Sequence, residues 1–168
     1  MKAVIEKGTR LPDAEFLQFA AQGIRSFSTA DVFQEGMVLV VGVVNAFGPV
    51  CSQKHLPEFI PYAKELVDNW LVKKVLCISA SDPFSLNAWA EKMQVKNSMT
   101  LYTDKNANFA TKLGLDIDLS QLGLGKRSTR YVMLVQDQKV VDLRYEEVPN
   151  SVAVTSKESV QNWLPNYV

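Results

Sequence analysis

Histidine occurs once in this chain and cysteine twice, and those scarcities exclude whole classes of function. One histidine and two cysteines in separate segments cannot assemble a metal-ligand cluster, so no metal or other cofactor is expected. Two cysteines are also too few for a disulfide framework, and they read as reduced thiols in a reducing, cytoplasmic setting. An excess of charge is lacking too: 18 basic residues balance 18 acidic ones, which leaves no basic footprint for nucleic acid and suits small or neutral substrates. The longest apolar run, residues 37–44 with Gly42 inside it, is too short to span a bilayer. The first residues carry Lys2, Glu6, Lys7 and Arg10 and lack the apolar core of a secretory signal. Without repeats, low-complexity tracts or a shift in composition, the 168 residues read as one domain, enough to bury about 70% of the unfolded chain's surface.

What is present alternates. "MVLVVGVVNAF" is continuous and β-branched, the pattern of a strand buried on both faces and ending near Val44. Phe59, Ala63, Leu66, Val67 and Trp70 then fall at helical spacing. "KKVLCIS" predicts a second buried strand, and Asp82-Pro83 opens another helix. "MTLYTD" predicts a strand, "NANFATKLGL" a short helix ended by Gly114, and "RYVMLVQDQKVVDLRYEE" a hairpin turning at Asp137 and Gln138. Thr155-x-x-Glu158 is a capping box for the last helix, and "AEFLQFAAQGIRSFS" a weaker N-terminal hairpin. Together these predict a three-layer α/β fold with a mixed sheet and helices on both faces. Trp70, Trp89 and Trp163 sit on helical apolar faces, as core or interface residues.

The chemistry concentrates at 44–59, "VNAFGPVCSQKHLPEF". With a strand ending near Val44 and a helix starting between Pro49 and Cys51, the cysteine lies in the first helical turn, where free N–H groups and the dipole favour a thiolate. His55, four residues on, shares that face if the helix is regular, and Pro57 argues for a kink or a loose first turn. A small buried cysteine with a polar histidine at the rim is the other reading of this pattern. Cys77, inside "VLCIS", reads as an inert strand thiol. "LGLGKRS" is not a phosphate loop, because Arg127 follows Gly125-Lys126 where Ser or Thr is required. No G-x-S-x-G elbow exists to make a hydrolase.

"AFGPVCSQKHLPEF" resembles the peroxide-reducing segment of the peroxiredoxins, in particular the type 5 or atypical branch, written P-G-A-F-T-P-T-C-S-x-x-H-L-P-G-F. Ala46, Phe47, Pro49, Cys51, Ser52, His55, Leu56, Pro57 and Phe59 agree with it, and similarity extends from about Gly8 to Leu164. The resemblance implies a thioredoxin-like fold with an N-terminal β-hairpin and a thiol peroxidase acting on hydrogen peroxide or alkyl hydroperoxides. Cys51 would be the nucleophile and Arg130 the arginine beside its sulfur, with Gly48, Val50, His55 and Val44 around the peroxide. It also implies a homodimer packed through loops near the active site. Two positions depart from the P-x-x-x-T-x-x-C pattern: Val44 replaces the proline and Gly48 the threonine. The late loop "PNSVAVTSKES" lacks the atypical branch's second cysteine, which implies a one-cysteine enzyme reduced by glutathione with glutaredoxin, or by thioredoxin. A redox-responsive binding module that has lost efficient turnover is the alternative those departures raise.

Overall fold

The computed structural model describes residues 3–95 and 97–168. The uninterrupted apolar run forms β3 (Met37–Gly42), and its neighbours show why it does not alternate. On one side it pairs in parallel with β4 (Lys74–Ser79), on the other antiparallel with β8 (Tyr131–Gln136). Leu39 and Val41 point into one core, Val38 and Val40 into a second core across the sheet. Both faces are dry, so every position must be apolar.

Around this centre lie β1 (Glu15–Ala20), β2 (Gly23–Ser28), β5 (Thr100–Asp104) and β9 (Lys139–Tyr145), in the order β2-β1-β5-β4-β3-β8-β9. The parallel β3-β4-β5 core with antiparallel flanks makes the sheet mixed. Helices α2 (Leu56–Asp68), α3 (Pro83–Met93) and α5 (Lys157–Trp163) cover one face, α1 (Thr29–Phe33) and α4 (Asn108–Leu113) the other. Three layers, the mixed sheet and the N-terminal hairpin agree with the pattern read from the sequence. No helix among the described residues is long and apolar enough to cross a membrane.

Several details differ. The strand ends at Gly42 rather than near Val44. There the ring of Tyr131, its cross-strand partner, lies where a side chain on Gly42 would be, so only glycine lets the ring pack flat across the sheet. Trp70 is not on an apolar helix face: α2 stops at Asp68, and Trp70 adopts φ 60° and is 92% exposed. Its N–H and that of Leu71 close the helix end on Val67 and Leu66 carbonyls, so the periodic spacing ran past the last turn. Trp89 and Trp163 are buried as expected. The cap of α5 is Ser156, which accepts from Ser159 N–H at 3.1 Å. Thr155 instead donates its hydroxyl to the buried Glu146 carboxylate at 2.8 Å. A small separate hairpin, β6 (Asp116–Leu119) with β7 (Gly125–Ser128), was legible only as loop. Its turn uses the positive φ of Gly123 and Gly125.

Candidate active site

The site begins where β3 runs out. Asn45 to Gly48 form a turn closed by Gly48 N–H on the Asn45 carbonyl at 3.2 Å, with Phe47 at φ 63°. Ser52 N–H donates to the Gly48 carbonyl at 2.9 Å, so the helix starts at Pro49, a residue suited to the first position because it has no N–H to leave unpaired. Cys51 is then in the first turn, and the N–H groups of Val50 and Cys51 precede the helical ladder.

From Cys51 to His55 the helix is wound as a π-turn, with Leu56 N–H bonded to the Cys51 carbonyl. Pro57 explains the loosening: it has no N–H to give the residue four before it, and it sits in the first turn of the regular helix α2. Of the two outcomes expected from that proline, the loose first turn is the one found. Trp89 on α3 ties the segment down, donating its Nε1–H to Ser52 Oγ at 2.9 Å.

Arg130 comes from the other side of β3. It immediately precedes β8, whose Tyr131 is paired with Gly42, so the register sets it beside the chain that leads to Cys51. Its guanidinium is 1% exposed and Cys51 is 2% exposed. Nη1 donates to Cys51 Sγ at 3.2 Å and to His55 Nδ1 at 3.1 Å. Nε donates to the Ser151 carbonyl at 3.2 Å, and Nη2 to the Pro149 carbonyl at 3.1 Å. No carboxylate faces Arg130 among the described residues. A buried cation needs a counter-charge, and the sulfur is the group placed to become one. Of a guanidinium's five N–H donors, these contacts use one on Nε, two on Nη1 and one on Nη2.

His55 is fully buried, and its ring meets Arg130 and the Thr155 carbonyl. Its tautomer follows from its neighbours. Facing a guanidinium that can only donate, Nδ1 accepts, and Nε2–H donates to the Thr155 carbonyl at 3.1 Å. Burial, and then the charge of Arg130, push its pKa from 6.5 to about 3. The unfolded chain therefore takes a proton that the folded chain refuses. This contribution to stability is complete above about pH 6.5 and is lost as pH falls toward about 3. Asp104 opposes it. Its carboxylate caps α4 through Phe109 and Ala110 N–H at 2.8 and 2.9 Å, and burial raises its pKa from 3.8 to about 6, so this group favours the fold as pH falls through that window. Urea unfolding of the parent against His55→Asn separates the two. The stability advantage of the parent is expected to shrink by up to about 1.4 kcal/mol per pH unit on acidification below pH 6.5. Parallel pH profiles for the two proteins would refute the assignment.

The other predicted residues fall as follows. Val44 is buried below the turn, and Val50 is half-buried at the helix start. A Cβ built on Gly48 would lie 3.7 Å from Cys51 Sγ, so a side chain at that position would face the sulfur. Cys77 is fully buried in β4, and burial, then the nearby Cys51, push its thiol pKa up. The described residues contain no group of three or more potential metal ligands. The sequence reading missed the part played by the 146–155 segment, whose carbonyls hold Arg130 and His55. Backbone acceptors leave no residue-type signal.

Residues 6–160 match the redoxin family. Mitochondrial peroxiredoxin-2F of Arabidopsis thaliana is 38% identical over 146 residues, covering 83% of this chain and 71% of that protein. The crystal structure of reduced Prx3 from Vibrio vulnificus in complex with hydrogen peroxide superposes with a TM-score of 0.87 at 30% identity, over 96% of this chain and 99% of that one. Peroxiredoxin 5 from Alvinella pompejana shares the fold, with a TM-score of 0.83 at 24% identity over 96% of this chain and 99% of its own. The chain belongs to the redoxin family, and within it to the peroxiredoxins. It is accordingly an oxidoreductase of the thiol-peroxidase type.

Proposed function

We propose that this chain, of the type 5 kind, reduces hydrogen peroxide or alkyl hydroperoxides by a one-cysteine mechanism in a cytoplasmic, reducing setting. The observation that carries the reading is the Arg130 Nη1–Cys51 Sγ contact at 3.2 Å between two buried side chains. The Cys51 thiolate attacks one peroxide oxygen in line; an S–O bond forms as the O–O bond breaks, leaving Cys51 as sulfenic acid. The departing hydroxide or alkoxide takes a proton from solvent and leaves as water or alcohol. Arg130 would hold the thiolate, and its remaining Nη2–H is available to the oxygen that gains charge. The Val50 and Cys51 N–H groups would seat the peroxide. An external thiol, from glutathione with glutaredoxin or from thioredoxin, then condenses with the sulfenic acid to a mixed disulfide and water. A second thiol releases Cys51 reduced.

Intact mass after rapid mixing with a small excess of hydrogen peroxide tests this. The expected product is the parent plus one oxygen, absent in Cys51→Ser and unchanged in Cys77→Ser. Loss of two hydrogens, abolished by Cys77→Ser, would instead show an internal disulfide and overturn the one-cysteine mechanism. Burial of Cys77 in mid-strand supports the first outcome.

Homodimerisation belongs to the same reading. Phe47 in the 45–48 turn, Phe84 in the first turn of α3 and Leu122 between β6 and β7 are exposed, and Ser81, close in sequence to Phe84, bonds to Asn45, to Ala46 and to Arg127 of β7. An apolar rim of this kind suits a second copy. A light-scattering mass of one chain would count against it.

A further inference from the structure

Gly48 and Val44 leave the Cys51 turn without the side chains that would stiffen it, yet the turn is held from outside. Asn45 Oδ1 accepts from Ser81 Oγ at 3.1 Å, and Ala46 N–H donates to Ser81 Oγ at 2.9 Å. Ser81 is buried at the start of the β4–α3 loop and is fixed in turn. Its hydroxyl meets Ser79 Oγ at 2.9 Å, its carbonyl accepts from Thr103 Oγ1 at 2.8 Å, and Arg127 Nη1 approaches at 3.4 Å. A loop of this length has no such anchor built into its own backbone apart from the single Asn45–Gly48 hydrogen bond. Asn45 also borders the vacant side of Gly48: a Cβ there would lie 3.1 Å from the Asn45 carbonyl, 3.7 Å from Cys51 Sγ and 3.8 Å from the Asn45 Cβ.

We infer that Asn45, through its hydrogen bond to Ser81, is a positioning residue for the peroxide reaction, holding the 45–48 turn so that the Val50 and Cys51 N–H groups and the sulfur stay aligned with the substrate. The inference rests on the peroxidase reading of Cys51. Asn45 acts as an acceptor, so aspartate can replace it and alanine cannot. The geometric demand is severe, because misplacing a reacting group by about 1 Å can cost about 10²-fold in rate. Its effect is confined to peroxide, which must be oriented, and is not shared by a reagent that needs only an accessible thiolate.

The test compares the parent, Asn45→Ala, Asn45→Asp, Ser81→Ala and Asn45→Ala/Ser81→Ala. Two second-order rates are measured for Cys51: oxidation by hydrogen peroxide, and alkylation by iodoacetamide. Asn45→Ala and Ser81→Ala are each expected to slow oxidation at least tenfold while changing alkylation less than twofold. The double variant should be little slower than either single one, the mark of residues acting as a unit, and Asn45→Asp should stay within threefold of the parent. Oxidation of Asn45→Ala within twofold of the parent would overturn the inference, as would equal losses in oxidation and alkylation, or Asp behaving like Ala. A parent no faster than a free thiol would instead refute the peroxidase reading itself, so the two failures are distinguishable.

Discussion

Replacing Arg130 with methionine is expected to slow peroxide oxidation of Cys51 by about 10³-fold, the upper range for removing a preorganised charge-stabilising donor. The size follows from the convergence of roles on one guanidinium. It is the donor at 3.2 Å from the sulfur, and no carboxylate faces it among the described residues. Methionine fills much of the volume but presents nothing to Sγ, to His55 Nδ1 or to the two loop carbonyls. Arg130→Lys should recover at most about tenfold, because a single ammonium on a flexible stem cannot meet four acceptors spread over a planar fork. Stopped-flow oxidation of both variants, with near-ultraviolet circular dichroism to confirm the fold, decides the matter. A methionine variant as fast as the parent would remove Arg130 from the reaction.

Gly48→Thr is expected to accelerate the same step by about 10- to 10²-fold, approaching the effect of restoring one such donor. The position accepts a side chain: its backbone is outside the left-handed region, and the tightest neighbour of a new Cβ is the Asn45 carbonyl at 3.1 Å, a contact that a small shift of the turn relieves. From 3.7 Å away, a threonine hydroxyl on that Cβ could reach a peroxide oxygen held against Sγ. Gly48→Ala serves as the control, since it adds the bulk without the donor and should gain nothing. If threonine fails to accelerate a fast parent, this chain already orients its substrate by other means. If the parent is no faster than a free thiol and threonine makes it fast, the reading as a redox-responsive binding module gains the advantage.

Much of this was legible in the residues, and the reasons are physical. Continuous β-branched runs mark strands wet on neither face, so β3 and β4 were readable as central. Asp82 and Gly114 act locally, through one hydrogen bond and one backbone conformation, so their helix boundaries were readable too. Trp70 misled because periodicity reports which residues would share a face if the helix continued, and carries no information on where it stops. Thr155 misled because a hydroxyl can serve a helix cap or a buried carboxylate, and only the tertiary fold brings Glu146 within reach. Cys51 was legible as a candidate nucleophile from its place at a strand-to-helix junction, a pattern that a small buried cysteine also fits. His55 was visible as a residue near the sulfur, but not as the acceptor that orients Arg130, since that contact spans 75 positions.

The 149–151 loop contacts Arg130 through main-chain oxygens alone. A contact of that kind is blind to side-chain identity and sensitive to path length. Alanine at Pro149 or Asn150 would therefore be silent, whereas removing a single residue there would draw the carbonyls off the guanidinium and disarm the sulfur. The surroundings of Cys51 are thus set partly by side chains and partly, around Arg130, by the number of residues in a loop.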